Sequence, residues 1–345
     1  MPAVQVLIPC YNYAQYLEAC VDSALTQTGV EVRVLVIDDC STDNTPEVCA
    51  RLAQRDPRVR YLRHAQNKGH IATYNEGIGL SEGDYFVLLS ADDLLVPGAL
   101  GRATALMEAH PAVGFVYGTP ITLYDAEARE PRVGEASWTV WEGRDWIEKM
   151  CRTGKNFIDS PETVMRLSLQ RQLVGYNPAL PHSGDMELWI RAAAVAKVGH
   201  VNGTDQAYYR VHGASMQRTV HSGVLFDLEG RRLAFESAFQ REAADLPGAV
   251  QLLSMARRSL AVLALRHARG ALDRGELTPE ALQACCDFAV AVAPAIASSR
   301  QWRRLQRAAH KTPGPLHDVV SRARRFSRRV EDHLAWRRWY ATGCF

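Results

Sequence analysis

No apolar run in this 345-residue chain comes near the ~18 residues that a bilayer-spanning helix needs, which excludes a polytopic membrane protein. The N-terminus lacks a basic region. Met1-Pro-Ala-Val-Gln-Val-Leu-Ile8 passes at once into a strand pattern and does not read as a signal peptide. The eight cysteines, at positions 10, 20, 40, 49, 151, 285, 286 and 344, lack CxxC pairing. Their scatter argues against a zinc cluster or a disulfide framework and suits a reducing cytosol. Cys10 and Cys40 read as small apolar fillers. No internal repeat is visible. With 47% hydrophobic and 23% charged residues, the composition is that of a folded globular chain larger than one minimal domain.

What is present in the first hundred residues is an alternation of strand and helix patterns. Val4–Pro9, Val32–Asp38, Val59–Arg63 and Tyr85–Leu89 read as strands. Helical stretches lie at Ala14–Gln27, Thr45–Arg55 and Ile71–Leu80, with Thr45 as N-cap and Pro46 as the first helical residue. This order predicts a doubly wound, mostly parallel sheet with helices on both faces. A helix at Gly98–Ala109, a strand at Gly114–Tyr117 and a helix at Met186–Ala196 follow, and the pattern weakens between Thr119 and Ser160. Beyond His221 the chain is helical and rich in Ala, Arg and Leu, so the expected domains are 1–220 and 221–345.

Tyr85-Phe-Val-Leu-Leu-Ser-Ala-Asp-Asp93 is a buried-strand pattern that delivers two adjacent carboxylates to the ligand-binding edge of such a sheet. Two acids there repel one another unless a cation lies between them, and a divalent ion on a phosphate fits that need. The plain alternative is that Asp92 and Asp93 cap the helix after Pro97. Three more groups gather at the same edge: Pro9-Cys-Tyr-Asn12, Asp38-Asp39-Cys-Ser-Thr-Asp-Asn-Thr45, and Asn67-Lys-Gly69 with Asn75-Glu-Gly77. Tyr11 offers a stacking face, Asn12 a polar handle, and an acid after the second strand an acceptor for a base N–H or for ribose hydroxyls.

These four segments, in this order and spacing, resemble family 2 glycosyltransferases over roughly residues 3–215. The resemblance implies a GT-A fold and inverting transfer of one sugar from a nucleotide-sugar donor, UDP- or dTDP-linked. The acceptor would be a glycan, lipid-linked or small-molecule hydroxyl. It implies nucleotide contacts from Pro9, Tyr11, Asn12, Asp39, Asn75 and Asp92, with Asp92 holding Mn²⁺ or Mg²⁺ on the diphosphate. Ser183-Gly-Asp-Met-Glu-Leu-Trp-Ile-Arg191 resembles the family's acid-containing helix start, which makes Asp185 the catalytic base. Helix N-capping is the structural alternative for Asp185, and Glu187 the second choice as base. Tyr209-Arg-Val-His212 with Ser215 resembles a later segment in which His212 joins the metal or phosphate shell. Ser90, Asp93, Glu187 and Arg191 take supporting roles, Asp93 as a supporting acid or a helix cap.

The chain departs from the family pattern at Ser90, where the first Asp of Asp-x-Asp usually stands, at Gly184 in place of Glu, and at Tyr74 in place of Arg. Ser90 and Gly184 motivate a catalytically degenerate nucleotide-sugar binder as the alternative. A nucleotidyltransferase is disfavoured because no Gly-rich basic loop follows the first strand. The absence of Gln-x-x-Arg-Trp argues against processive polymerisation.

Residues 300–345 hold twelve Arg and Lys against three acids, a net +9 that leaves −7 for the rest of a chain of net +2. Leu316, Val319, Val320, Ala323, Phe326, Val330 and Leu334 recur there at helical spacing among arginines, ending in Trp336 and Trp339-Tyr340. Such a helix suits an anionic membrane surface and would place a cytoplasmic enzyme on the inner membrane face. Packing on the domain with its arginines solvated is the alternative. Nucleic acid is not an expected partner, since charge alone speaks for it.

Overall fold

The computed structural model describes residues 1–124, 129–134, 137–213, 223–309 and 317–345. Ser215, Leu316 and the boundary expected near residue 220 lie outside them. The elements in chain order are β1 (Ala3–Cys10), α1 (Ala14–Leu25), β2 (Glu31–Asp38), α2 (Thr45–Arg55), β3 (Val59–Arg63), α3 (His70–Leu80), β4 (Tyr85–Leu88), β5 (Leu94–Leu95) and α4 (Ala99–Ala109). Then come β6 (Val113–Tyr124), β7 (Ser137–Trp141), α5 (Gly143–Thr153), β8 (Val164–Arg166), α6 (Leu167–Gln172), α7 (Gly184–Val195) and β9 (Lys197–Val211). A helical region closes the chain: α8 (Val224–Ala238), α9 (Ala249–Arg274), α10 (Pro279–Val292), α11 (Arg300–Ala309) and α12 (His317–Thr342).

The sheet order is β3-β2-β1-β4-β8-β6-β9-β5, with β7 on the outside of β9. β3, β2, β1 and β4 run parallel, as their crossover helices require. β8 enters antiparallel between β4 and β6. Two reversals restore the original direction, so β6 and β9 point the same way as β1 and run parallel to each other. The C-terminal ends of β1, β2, β3, β4 and β9 therefore share one edge with the N-terminal end of β8. That edge positions the site.

Strand alternation separates two cores. Val4, Val6 and Ile8 of β1 face a cluster with α1, α2 and α4, while Leu7 faces a second cluster. The second cluster continues through α7, α8 and α9 to Trp339 and Cys344, so the helical region and the sheet share apolar contacts. Trp339 donates from its indole to the Phe157 carbonyl at 3.0 Å, and Trp141 donates to that of Thr342 at 2.9 Å. Among the described residues no helix is long and apolar enough to cross a membrane.

Three local expectations change. Asn44, not Thr45, is the N-cap of α2, because the Asp43 carboxylate accepts the Thr45 N–H at 3.0 Å and draws Thr45 into the first turn. The strand expected at Gly114–Tyr117 runs to Tyr124, held by its long parallel pairing with β9. Asp93 caps no helix, since α4 starts six residues beyond it, after a left-handed Gly98.

Candidate active site

A cleft of about 580 Å³ opens at the shared strand edge, within the usual range for small-molecule sites. Pro9, Tyr11 and Asn12 from the β1 turn line it, with Asp39 after β2, Asn67 and Gly69 after β3, and Ser90, Asp92 and Asp93 after β4. Arg210 of β9 and Asp185 at the start of α7 complete it from the far half of the sheet.

Asp39 is fixed by the loop after β3. Its carboxylate takes a contact from His64 Nδ1 at 2.7 Å and accepts the N–H groups of Lys68 and Gly69 at 2.8 and 2.9 Å. Gly69 has φ +83°, a conformation costly for a side chain, and this turns its N–H onto Asp39 at the start of α3. Burial pushes the Asp39 carboxyl up, but His64 and these N–H groups together hold it below the ordinary carboxylate range. Asn12 sits at φ +59°, and its Oδ1 accepts the Thr42 N–H at 2.8 Å. That bond ties the β1 turn to the β2 loop. Tyr11 stays 47% exposed, its ring available at the cleft. Cys10 is buried and its thiol pushed up to about 12 by that burial, which suits the filler role; Cys40 is half-buried.

Asp92 and Asp93 diverge. Asp93 is buried and accepts the backbone N–H of Arg210 at 2.8 Å, which clamps β4 to β9. Burial and then repulsion by Asp92 push its carboxyl well above the usual range. Asp92 faces the cleft, and its Oδ2 lies 3.0 Å from His212 Nε2. His212 packs edge-on against Tyr13 at 5.7 Å and beside Tyr16 at 5.3 Å. The pairing of β5 with β9 brings the two residues together across 120 positions of sequence. Among the described residues no group of three or more His, Cys, Asp or Glu forms a ready-made metal cage. One carboxylate beside one imidazole still fits a hard divalent ion that takes its remaining ligands from phosphate.

Asp185 lies in the same cleft on the first turn of α7. Its Oδ2 accepts the Ser160 hydroxyl at 2.8 Å, while its buried Oδ1 has no hydrogen-bond partner. Burial pushes this carboxyl above its usual range, opposed in part by Ser160 and Tyr176. Gly184 beside it leaves room for Tyr176, whose ring would meet a Cβ at 3.2 Å. Tyr74 lines the same wall, its ring edge-on to Tyr176 at 5.3 Å and to His70 at 5.4 Å.

Three expected residues are not brought to the cleft. Asn75 spends its amide on the backbone of Tyr176, accepting its N–H at 2.8 Å and donating to its carbonyl at 2.9 Å. Gly175 is required there, because a Cβ would lie 2.3 Å from Asn75 Oδ1. Glu187 is fully buried between Arg191 at 3.2 Å, Ser237 at 2.8 Å and Arg241 at 3.5 Å, as a buried ion-pair partner away from the cleft. Arg191 is 1% exposed and is held by Glu242 at 2.6 Å and the Gly175 carbonyl at 3.2 Å. Ser90 lines the cleft, and its carbonyl takes contacts from the Cys20 thiol and the Asp93 N–H.

The structure adds His64, His70, Asp159, Ser160, Tyr176 and His182 to the surroundings of the site. None carries a periodic or motif signal. Five carboxyls, those of Asp39, Asp92, Asp93, Asp159 and Asp185, line the cleft against the single guanidinium of Arg210 among the described residues. That balance suits a ligand arriving with positive charge attached.

Residues 5–166 match the model for Glycosyl transferase family 2. Chondroitin synthase of Pasteurella multocida (strain Pm70) is 28% identical over 203 residues, which are 59% of this chain and only 20% of that protein. The structure of S. aureus TarS 1-349 in complex with UDP-GlcNAc superposes with a TM-score of 0.58 at 16% identity, covering 92% of this chain and 89% of that one. Mannosyltransferase PcManGT from Pyrobaculum calidifontis, in complex with GDP-Man and Mn²⁺, gives 0.57 at 19% identity over 93% and 86%. The four-part edge motif, the sheet that gathers it and the family match agree: residues 5–166 are a Glycosyl transferase family 2 domain, and the sheet around them has a GT-A fold.

Proposed function

We propose that this chain transfers one sugar, with inversion, from a nucleoside diphosphate sugar to an acceptor hydroxyl, with Asp185 as general base. The observation that carries the reading is the Asp185 carboxyl, anchored on one oxygen by Ser160 and held above its usual range by burial, in the cleft that also holds Asp39 and Asp92. Asp39, braced by His64, takes the base of a UDP- or dTDP-linked donor, with Pro9 and Tyr11 against its ring. Asp92 and His212 would hold a divalent ion, which when bound would neutralise charge developing on the leaving diphosphate. Arg210 adds a fixed positive charge at the same side.

Chemistry then needs one proton moved. The acceptor oxygen bonds to the anomeric carbon as the bond to the diphosphate breaks, and the electron pair leaves on the diphosphate. The acceptor proton passes to the Asp185 carboxylate. A carboxyl held above its usual range accepts that proton more readily than a fully solvated one. UDP-GlcNAc in S. aureus TarS and GDP-Man with Mn²⁺ in PcManGT support a nucleotide-sugar donor and a divalent ion. The acceptor is a carbohydrate, a lipid-linked glycan or a small-molecule hydroxyl.

α12 supports a peripheral placement on an anionic membrane, in a form the sequence did not predict. Its arginines turn inward: Arg324 and Arg328 bond the buried Asp273 of α9, and Arg325 bonds the Asp273 carbonyl. Phe326, Val330, Leu334, Trp336 and Tyr340 consequently lie exposed, flanked by exposed Arg322, Arg329, Arg337 and Arg338. Apolar and aromatic groups among exposed arginines complement an acidic lipid headgroup layer.

The deciding experiment is nucleoside diphosphate release from a panel of nucleotide sugars, with Mn²⁺ and with chelator, for wild type, Asp92→Ala and Asp185→Ala. Metal-dependent release lost in both variants is the expected result. Nucleotide binding without release from any donor, with or without candidate acceptors, would instead favour a degenerate binder.

A further inference from the structure

The turn before β8 carries an irregularity that the reading above leaves unused. Ser160 has φ +94°, a conformation rare and costly for any residue but glycine. The surroundings over-determine it. β8 pairs with β4 through Phe86–Met165 and Tyr85–Arg166, so the residues just before it fall at the ligand edge beside Asp92 and Asp93. The Ser160 carbonyl accepts the Thr163 N–H at 3.0 Å, and the Glu162 carboxyl accepts the Asp159 N–H at 2.8 Å. Glu162 is 2% exposed and points its second oxygen into the interior without a hydrogen-bond partner. A turn closed twice, one closure made by a buried acid, holds Ser160 where its hydroxyl reaches Asp185.

We propose that Ser160 is the positioning residue for the base: its hydroxyl anchors Asp185 Oδ2 and so fixes the orientation of the carboxylate at the cleft. This rests on Asp185 being the base. A serine at φ +94° earns its place only if the hydroxyl is needed, because glycine would make the same turn without strain. The other groups that face Asp185 are neutral or distant. Tyr74 and His70 come from α3, Tyr176 from the loop before α7, and Tyr209 from β9. Of these only His70 can bring positive charge, and its Nε2 is 2.9 Å from the Pro181 carbonyl.

Two substitutions separate hydroxyl from turn. Ser160→Gly removes the hydroxyl and relieves the backbone, whereas Ser160→Ala removes the hydroxyl and keeps the strain. The readout that needs no donor is ¹³C NMR titration of protein labelled at aspartate carboxyls, with the Asp185 signal identified by its loss in Asp185→Asn. Loss of a hydrogen bond to the charged form raises the midpoint, so both Ser160 variants should titrate about one pH unit higher. Melting temperatures should diverge, Ser160→Gly rising by a few degrees and Ser160→Ala falling. With the donor found by the release panel, the acid limb of the kcat profile should move by the same amount. An Asp185 midpoint unchanged in Ser160→Gly overturns the proposal. A shifted midpoint together with full turnover in Asp185→Asn leaves the hydrogen bond standing and removes the base assignment.

Discussion

Asp185 and Glu187 lie two residues apart on one helix, and substitution of each should disturb a different property. Glu187 is fully buried and accepts from Ser237 at 2.8 Å while pairing with Arg191 at 3.2 Å. Glu187→Gln keeps one acceptor oxygen but sets an amide N–H against a guanidinium N–H. Breaking a buried pair costs about 3–5 kcal/mol when the partner charge is stranded. Arg191 would keep Glu242 at 2.6 Å, so the expected loss is smaller, about 2–3 kcal/mol, or roughly 5 °C in Tm for a chain of this size. Turnover per folded molecule should stay within about threefold, because Glu187 does not reach the cleft. Asp185→Asn reverses the pattern. Losing a general base should lower kcat by ~10²–10⁴-fold. An amide at a site where burial already disfavours charge should leave Tm unchanged or raise it. The measurements are initial rates of nucleoside diphosphate release alongside thermal unfolding of the same samples. An Asp185→Asn enzyme that turns over normally, or a Glu187→Gln enzyme that is fully folded yet inactive, would refute the assignment of roles.

The remaining predictions concern the C-terminal helix and pH. Wild-type protein should co-sediment with vesicles containing phosphatidylserine and not with neutral phosphatidylcholine vesicles, and Phe326→Glu with Leu334→Glu should abolish this without changing nucleoside diphosphate release; equal binding to both vesicle types would sink the electrostatic reading. Asp273→Ala leaves Arg269, Arg324 and Arg328 facing one another without their acid. Because those arginines are partly exposed, the cost should be about 2 kcal/mol and not that of a fully buried pair, seen as a lower Tm and faster tryptic cleavage at Arg322 and Arg329. In thermal melts across pH without nucleotide or metal, stability should decline from about pH 5 to pH 8. Asp185 and Glu162 have folded-state values raised by burial, so the folded state holds protons that the unfolded chain has shed, and their favourable contribution is lost as pH rises through the raised values. Asp205 works in the opposite direction. Arg129 and Arg132 hold it at about 2 despite its burial, so its contribution is present above the ordinary carboxylate range and lost only toward pH 2. A Tm that climbs steadily from pH 5 to pH 8 would contradict this balance.

The first half of the fold was legible because each of β1 to β4 is an apolar run ending in a polar cluster, and parallel crossovers leave little freedom in where those clusters gather. The same reasoning placed Asp39 and Asp92 at one edge, and the family resemblance added Asp185. It failed where a residue's partner lies far along the chain. Asn75 is a nucleotide contact on the family resemblance, yet its amide is taken by Tyr176, 101 residues on. β8 is only Val-Met-Arg, too short to show a period, and its insertion between β4 and β6 brings Ser160 to the site. His64 sits in Leu-Arg-His-Ala-Gln with nothing to mark it, and only the fold shows that it braces Asp39. For α12 the amphipathic period was readable but the inward face was not. A buried acid on α9 outweighs the apolar stripe and draws the arginines in.

The charge in the cleft connects these observations. Asp93 and Glu162 are each buried and pushed well above the usual carboxylate range, and Asp185 and Asp159 are raised beside them, while Arg210 is the guanidinium that lines the same space. A core that was selected for stability alone would replace such acids by apolar groups of similar size, since unpaired buried charge opposes folding. Their retention makes sense if the ligand completes the electrostatics. A nucleoside diphosphate carries negative charge and would be repelled by Asp92 unless a divalent cation came with it, so the arrangement selects the metal complex over the free nucleotide. On the proposed reading Asp185 would gain in a different way: with a cation drawn to Asp92 and His212, it would keep its raised affinity for a proton at the moment the acceptor must give one up. The two acids can serve opposite roles in one cleft because Ser160 and the walls of Tyr74 and Tyr176 isolate one, and the β5–β9 pairing gives the other an imidazole partner.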